Sequence, residues 1–562
     1  MSTAAQARYK SVRPGRPTEW TVRDFKAIEH ASLPCLPLSL LLGPNSSGKS
    51  SLIQSLLLLV QSTEDEIVLN GPLVRLGVAE DVIRIGSQST VFSFVVNCTN
   101  DISDNAVPVL FEITMESDAG TLVVADFVAV DQSTEMTLIR ATSHSRVPSE
   151  VRDNILQESR RRETILRVTE IFDKSAPPFT FATFAGLTPT SVWFRRTRAQ
   201  VQADLGRQLV INKDPIESEA SLEIVFRMLE WISRRNASQT TKESEKARYD
   251  ALHSILHSSR KMQKDLLHEF VGETLPEDID TRIFVNRIPA GRSIKDYFPP
   301  PNTQHEAAII LLGLAADVIG LMQRSTSYLG PLREEPQVVY PTGGRYKSLP
   351  VGAKGEFTAD VIARSKRTVV HFQTPAGIDK RSSLQEALTE WAEYLGIGES
   401  VSVSDLGKLG RGLQIMVNGV ERDLTMVGVG ASQLIPVLTI VLTARSGATV
   451  LLEQPELHLH PSVQSKLADF FVYARPDIRL VVETHSEYLL TRIRRRVVEN
   501  FDVASGIAVL FSEQEQGVSG VRRLHLDKLG DFSSWPVGFF DTQEGESAEL
   551  AKAVHKAVLA DK

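Results

Sequence analysis

Apolar positions change their spacing several times along the chain, and each change predicts an element. Trp20, Val22, Phe25 and Ile28 alternate weakly with polar residues between Trp20 and Ala31, as in an edge or half-buried strand. Leu36 to Leu42 is a short apolar run suited to a central strand buried on both faces, and Leu52 to Val60 fits a buried helix. Asn70-Gly71-Pro72 marks a turn, followed by Leu73 to Val82 with Gly77 inside it. Thr90 to Val96 is β-rich. Val107 to Met115 and Gly120 to Val130 alternate like antiparallel strands joined at Ser117-Asp118-Ala119-Gly120.

The middle of the chain has another character. Glu150 to Ile171 and Ile216 to Gly272 are charged with a helical period, and Asn236 to Glu245 reads as a polar loop. Arg160-Arg161-Arg162, Arg195-Arg196 and Arg234-Arg235 suit either a solvated helix face or a surface for nucleic acid or a partner. Ala307 to Met322 is a more apolar helix. It leads into Tyr328-Leu329-Gly330-Pro331-Leu332-Arg333 and a loop rich in Gly and Pro up to Glu356. A helical pattern returns from Ser383 to Leu395, then a strand pair near Val401 to Ser404 and Leu413 to Val417, with a turn at Asn418-Gly419.

Composition narrows the class. The 562 residues suggest three or four domain-sized units, or one domain with large insertions. With 42% hydrophobic and 23% charged residues the chain can bury a sizeable core. A net charge of −7 argues against a surface that is basic overall, though not against a local basic groove. Cys35 and Cys98 are the only cysteines, too few for a disulfide framework or a cysteine-based zinc site. No unbroken apolar run approaches a membrane span, and Met1 to Gly15 lacks the apolar core of a signal peptide. The expectation is a cytoplasmic protein without a membrane partner.

The strongest chemical signal follows the apolar run at Leu40. Gly43-Pro44-Asn45-Ser46-Ser47-Gly48-Lys49-Ser50-Ser51 is a phosphate-binding loop in its required context of strand, glycine loop and helix. Backbone N–H groups of such a loop curl around phosphates, and the helix start turns its positive end toward them. Lys49 is expected to reach the β- and γ-phosphates of ATP, and Ser50 to hold Mg²⁺.

Three later stretches fit the first. At Val427-Gly428-Val429-Gly430-Ala431-Ser432-Gln433, small residues open an apolar helix, so free N–H groups again face outward. Ala448 to Glu453 is a hydrophobic strand ending in acid, continued by Gln454-Pro455-Glu456-Leu457-His458-Leu459-His460-Pro461. A Mg²⁺-associated carboxylate belongs there, and Glu453 is the candidate. Ile478 to Glu483 is another buried strand, ending in Thr484-His485-Ser486; His485 there could reach a γ-phosphate or its attacking water.

This order of motifs resembles ABC-type ATPase heads of the SMC, RecF and OLD-like branch. It is similar to bacterial AAA-family ATPases without a Toprim nuclease, such as the ATPase components of anti-phage defence systems like Septu. The resemblance rests on Phe25-Lys26 before the glycine loop, on Glu-Gln-Pro-Glu-Leu-His-Leu-His-Pro and on Thr-His-Ser. It rests further on Tyr328 to Glu334, on residues 428–433, and on Trp535-Pro536 followed by Gly538-Phe539-Phe540-Asp541. It implies an α/β P-loop head assembled from both ends of the chain around a mainly helical insertion. The expected boundaries are 1–145 and 326–500 for the head, 146–325 for the insertion and 501–562 for a capping or docking segment. It also implies that two heads sandwich two ATP molecules, with Gly430 and Ser432 of one subunit against the γ-phosphate held by the other.

Two departures bear on chemistry. ABC heads usually end the acidic strand in Asp-Glu, whereas this chain has Glu453-Gln454. Glutamine cannot act as a general base, so hydrolysis is expected to be slow or to depend on Glu456 or His485. The signature loop also lacks a clean Leu-Ser-Gly-Gly. Fewer than about 80 residues follow His485, and Asp527, Asp531 and Asp541 suit a docking segment better than a metal site, so no intrinsic nuclease is expected. The leading expectation is a dimeric ATP switch sensing a nucleic-acid (DNA or RNA) or protein target. It would control an associated effector, a nuclease or toxin, in anti-phage defence. The alternative is a DNA-repair or chromosome-maintenance ATPase of the RecF or SMC kind.

Overall fold

The computed structural model describes residues 12–63, 65–100, 103–145, 147–149, 152, 163–195, 283–287, 303–343, 349–534, 550 and 553. The chain divides into two compact units: a larger one of residues 14–98, 107–124 and 318–562, and a smaller one of residues 1–13, 99–106 and 125–317.

The larger unit is built on five parallel strands: β1 (Leu38–Leu42), β2 (Thr326–Leu329), β3 (Thr449–Glu453), β4 (Arg479–Glu483) and β5 (Ile507–Glu515). They lie side by side in the order β2, β3, β4, β1, β5. All five residues of β1 are buried, as a central parallel strand covered on both faces requires. Helices α1 (Lys49–Gln61), α2 (Leu384–Leu395), α3 (Val429–Thr443), α4 (Pro461–Tyr473) and α5 (Glu487–Glu499) belong to the same unit. α4 joins β3 to β4 and α5 follows β4, the crossovers that parallel neighbours need. Leu40, Val450, Leu480, Leu438 and Leu467 share one core cluster. This is the α/β class, with a P-loop strand at its centre.

Local chemistry sets several helix ends. Ser383 caps α2 by accepting from the Glu386 N–H at 3.3 Å, and Gly396 closes the helix at φ 73. Ser486 caps α5, accepting from the Leu489 N–H at 3.1 Å. His460 caps α4 through Nδ1, with Pro461 in the first turn, so this histidine has a structural role.

An antiparallel layer joins the parallel one. The stretch expected as one strand from Trp20 to Ala31 is a hairpin of Pro17–Phe25 and Ile28–Pro34, and the first also pairs with Ser89–Asn100. Two tight positions, Asp24 and Lys26 at φ 53 and 54, make the reversal that weak alternation concealed. The Trp20 indole donates to Ser55 Oγ at 3.0 Å, tying this layer to α1. Asn418-Gly419 turns between Arg411–Val417 and a third strand, Val420–Asp423, while the expected pair with Ser400–Asp405 also forms.

In the smaller unit, Met136–Thr142, Thr164–Ile171, Phe181–Ala185, Thr188–Arg195 and Ile283–Arg287 form consecutive antiparallel pairings. Residues 164–171 were expected to be helical; their β-branched Thr164, Ile165, Val168, Thr169 and Ile171 favour the strand instead. Arg160 to Arg162, Arg196, Arg234, Arg235 and the segment Ile216 to Gly272 lie outside the described residues, as does Trp535 to Asp541.

The apolar helix expected at Ala307 to Met322 runs over Thr303–Ser325. Its stretch Gln304–Ser325 is long and apolar enough to cross a membrane by length and composition, yet its most apolar window is 67% buried within the protein.

Candidate functional site

The carboxyl ends of β1, β3 and β4 lie on one edge of the larger unit, where ligands of open parallel sheets bind. Glu453 and Glu483 are register partners at the ends of β3 and β4, and Glu483 is the partner of Leu41 in β1.

The glycine loop leaves β1 with Gly43 at φ 141 and enters α1 through Gly48 at φ 105. Both are left-handed positions that favour glycine. Ser46, at φ 61, also adopts the left-handed conformation. Asn45 and Ser46 are exposed, whereas Ser47 is buried and held through its carbonyl, which accepts from Ser512 Oγ at 2.6 Å. Ser51 lies half-buried in the first turn of α1.

Lys49 Nζ folds back onto its own loop, donating to the Gly43 carbonyl at 3.0 Å and the Pro44 carbonyl at 2.6 Å. Burial lowers its pKa, and the Glu483 charge partly opposes that shift. An anion in the loop would offer this ammonium better partners than two carbonyls do.

Ser50 is not bonded to Glu453. Its hydroxyl donates to Glu483, at 3.0 Å from Oε1 and 2.9 Å from Oε2. β4 lies between β3 and β1, so Glu483 is the register partner of both Glu453 and Leu41.

Glu453 instead accepts at Oε1 from the Tyr328 hydroxyl at 2.8 Å, and both terminal nitrogens of Arg333 approach its backbone carbonyl at 3.3 Å. Burial, followed by the Glu483 charge, raises the Glu453 pKa to about 7, with Tyr328 and Arg333 pulling the other way. Burial likewise brings the Arg333 guanidinium down to about 10.

Gln454 adopts φ 45 and donates its N–H to the Glu483 carbonyl at 2.8 Å. Glu456 is buried and accepts the His485 N–H at Oε1, at 2.7 Å. Burial lowers the half-buried His485 imidazole's pKa, and nearby Lys49 adds to the effect, which favours the neutral ring at neutral pH.

The start of α3 lies against the loop that follows β3. Met426 and Val429 are exposed there, and Gly428 caps the helix without a side-chain bond. Gly430 packs near Leu459, while the Ser432 hydroxyl turns back to the Val429 carbonyl at 2.7 Å. That bond is satisfied within the helix, so Ser432 offers no free hydroxyl in this conformation.

Among the described residues, no group of three or more His, Cys, Asp or Glu side chains is arranged to hold a metal alone. A Mg²⁺ ion that shares nucleotide phosphates needs only one or two protein oxygens. The Ser50 hydroxyl and a neighbouring carboxylate are hard oxygen donors of that kind, so the residues fit Mg²⁺.

Sequence reasoning missed Glu483, Tyr328 and Arg333 as site residues, and Ser512 as a support of the loop. An acid ending a buried strand directly before Thr484-His485 was a usable signal for Glu483.

With this geometry in place, comparison with known proteins adds a family. Residues 221–491 match the family described as an AAA domain, putative AbiEii toxin, Type IV TA system. The match takes in Glu453, Gln454, Glu456 and His485 and begins beyond the glycine loop. Residues 504–550 match a second family, described only as a protein of unknown function. No curated protein matches the chain.

Solved structures similar to the chain include an Smc head bound to the C-winged helix domain of ScpA, at 11% identity and TM-score 0.35, over 91% of this chain and 98% of the other. Another is the SMC head domain from Thermotoga maritima, at 9% identity and TM-score 0.32, over 90% and 98%. At such scores neither structure bears on the chemistry of this site.

Proposed function

We propose that the protein is an ATP-binding, slowly ATP-hydrolysing switch that closes as a homodimer around ATP and controls an associated effector in anti-phage defence. The observation that carries the reading is a glycine loop whose Lys49 and Ser50 share one strand edge with Glu483 and His485. The toxin named in the matched family's description supports the effector part of the reading. A nucleic-acid or protein target is the trigger in this account.

The residues divide the work as follows. Loop N–H groups and the α1 terminus bind the phosphates, and Lys49 leaves the Gly43 and Pro44 carbonyls to neutralise them. Mg²⁺ supplies charge neutralisation on the phosphate oxygens when it is bound. Neutral His485 offers one ring nitrogen as acceptor and the other as donor beside Lys49. Gln454 can orient a water but cannot take its proton, and Glu456 is committed to the His485 backbone. Slow turnover follows, and a long-lived ATP state suits a switch. The start of α3, where Gly428 and Val429 are exposed, is the surface offered to the partner's nucleotide; half-buried Gly430 and buried Ser432 meet it once the Ser432 hydroxyl leaves the Val429 carbonyl.

Phosphate release by the full chain with Mg²⁺ and ATP tests the catalytic part. Slow release by the wild type and none by Lys49→Ala is expected. Equal rates in the two proteins would overturn the reading.

A further inference from the structure

Away from the glycine loop, the larger unit carries a strand with one unpaired edge. We propose that the outer edge of Val369–Gln373 takes an acidic, extended segment of a partner protein as an added strand.

The backbone bonds fix which groups face outward. Val369–Gln373 and Asp379–Ser383 form a two-stranded antiparallel sheet of their own. Leu384 donates its N–H to the Thr368 carbonyl at 3.0 Å, and Thr374 to the Ile378 carbonyl at 2.9 Å, so the even-numbered residues face the hairpin partner. Backbone groups alternate sides along an antiparallel strand, which turns those of Val369, His371 and Gln373 outward. Gln373 agrees: its N–H donates to the Ala474 carbonyl at 3.0 Å, and its own carbonyl accepts from the Trp391 indole at 3.1 Å. The edge is closed there. Among the described residues, nothing is bonded to the outward N–H and C=O groups of Val369 and His371.

A cleft of about 580 Å³ follows this edge, with residues 369–373 on one side and residues 442–444 and 475–477 on the other. The last two segments precede β3 and β4, so the cleft lies at the amino ends of the parallel strands and leaves the glycine loop clear. Exposed edges are usually blunted by a charge, a proline or a bulge. This one has none of them: Val-Val-His-Phe-Gln keeps an unbroken register, with Val370 and Phe372 buried and Val369 and His371 exposed.

Charge selects the occupant. Lys366 and Arg367 stand between Ser365 and Thr368, which line the cleft, and Arg445 stands between Ala444 and Ser446, which also line it. All three are exposed, and their side chains make no hydrogen bond or ion pair with the described residues. The carboxylates of the cleft are already engaged. Asp477 accepts from Arg475 at 2.7 and 3.0 Å, and Asp379 accepts from Gln373 Nε2 at 3.1 Å. The unanswered charge on the rim is therefore positive. A strand added about 4.8 Å from the edge would exchange backbone bonds with Val369 and His371 and set its own carboxylates against these cations.

A fluorescein-labelled peptide of alternating Glu and Val, titrated into the full chain and read by anisotropy, tests this. The wild type should bind it about tenfold or more tightly than the same peptide with a central proline, and more weakly as salt rises. His371→Pro removes an outward N–H that the hairpin does not use, and should lose about tenfold in affinity. His371→Ala keeps that N–H and should bind as the wild type does. Lys366→Glu combined with Arg367→Glu should weaken binding and flatten its salt dependence. If His371→Pro does not melt cooperatively, the proline peptide decides. Equal binding of the proline peptide, or full binding by a folded His371→Pro, would make the cleft a general polyanion surface and overturns the proposal. A wild type that binds neither peptide overturns it too. So does a nucleotide-independent homodimer that His371→Pro abolishes, which would give the edge to a second copy of the chain.

Discussion

Tyr328 donates its hydroxyl hydrogen to Glu453 Oε1 at 2.8 Å, joining the ends of adjacent strands β2 and β3. That bond favours the ionised carboxylate against burial, which raises the Glu453 pKa to about 7. Tyr328→Phe removes it and should move the acid limb of the ATP turnover profile to higher pH, by up to about one unit. A profile that stays in place would show that Glu453 does not control that limb.

The same raised pKa has a cost in stability. From the ordinary value of 4.5 up to about 7 the unfolded chain ionises Glu453 while the folded chain holds its proton, so this group's contribution falls as pH rises through that window. Glu453→Gln removes the cost. It should gain up to about 2 kcal/mol on the wild type between pH 5 and pH 8, read from urea melts at both. A gain that does not grow with pH would contradict the assignment.

Gly48 sits at φ 105, and an added Cβ would lie 2.9 Å from both Cβ and Oγ of Ser519. Gly48→Ala therefore combines backbone strain with a clash, and should lose about 2 kcal/mol of stability together with nucleotide affinity. Denaturant melts and nucleotide titration read the two losses separately.

Gln454 holds a left-handed φ of 45, uncommon for its side chain, at the end of the acidic strand. Gln454→Glu restores a group that can accept a proton, and turnover should rise by about a hundredfold. Unchanged turnover would place the attacking water away from this residue.

Away from the site, buried Asp469 accepts from Arg492 and Arg496 at distances down to 2.6 Å, and from the Tyr394 hydroxyl. Burial pushes its pKa up, but the bonds from Arg496, Arg492 and Tyr394 outweigh it and leave the group below the ordinary 3.8. Its stabilisation is thus present above the unfolded pKa and lost as pH falls through the folded one. Asp469→Asn should cost about 3 kcal/mol at pH 7 in urea melts, a difference that shrinks below pH 4.

The strand, glycine loop and helix were legible because their signals are local: an apolar run, two glycines with four residues between them and a lysine-serine pair. The end of β3 was legible for the same reason. The bond between Ser50 and Glu483 was not, because nothing local says that β4 inserts between β1 and β3. Ser512 reaches the Ser47 carbonyl from 465 residues away, a contact no periodicity encodes. Thr164 to Ile171 misled through its charges, whose spacing imitated a helix while the β-branched residues between them favoured a strand.

The switch reading stands most directly on assembly. Mass by light scattering, for the full chain with and without Mg²⁺ and ATP and beside Lys49→Ala, tests it. The account predicts that ATP at least doubles the wild-type mass and leaves Lys49→Ala unchanged. A wild-type mass indifferent to ATP would contradict it.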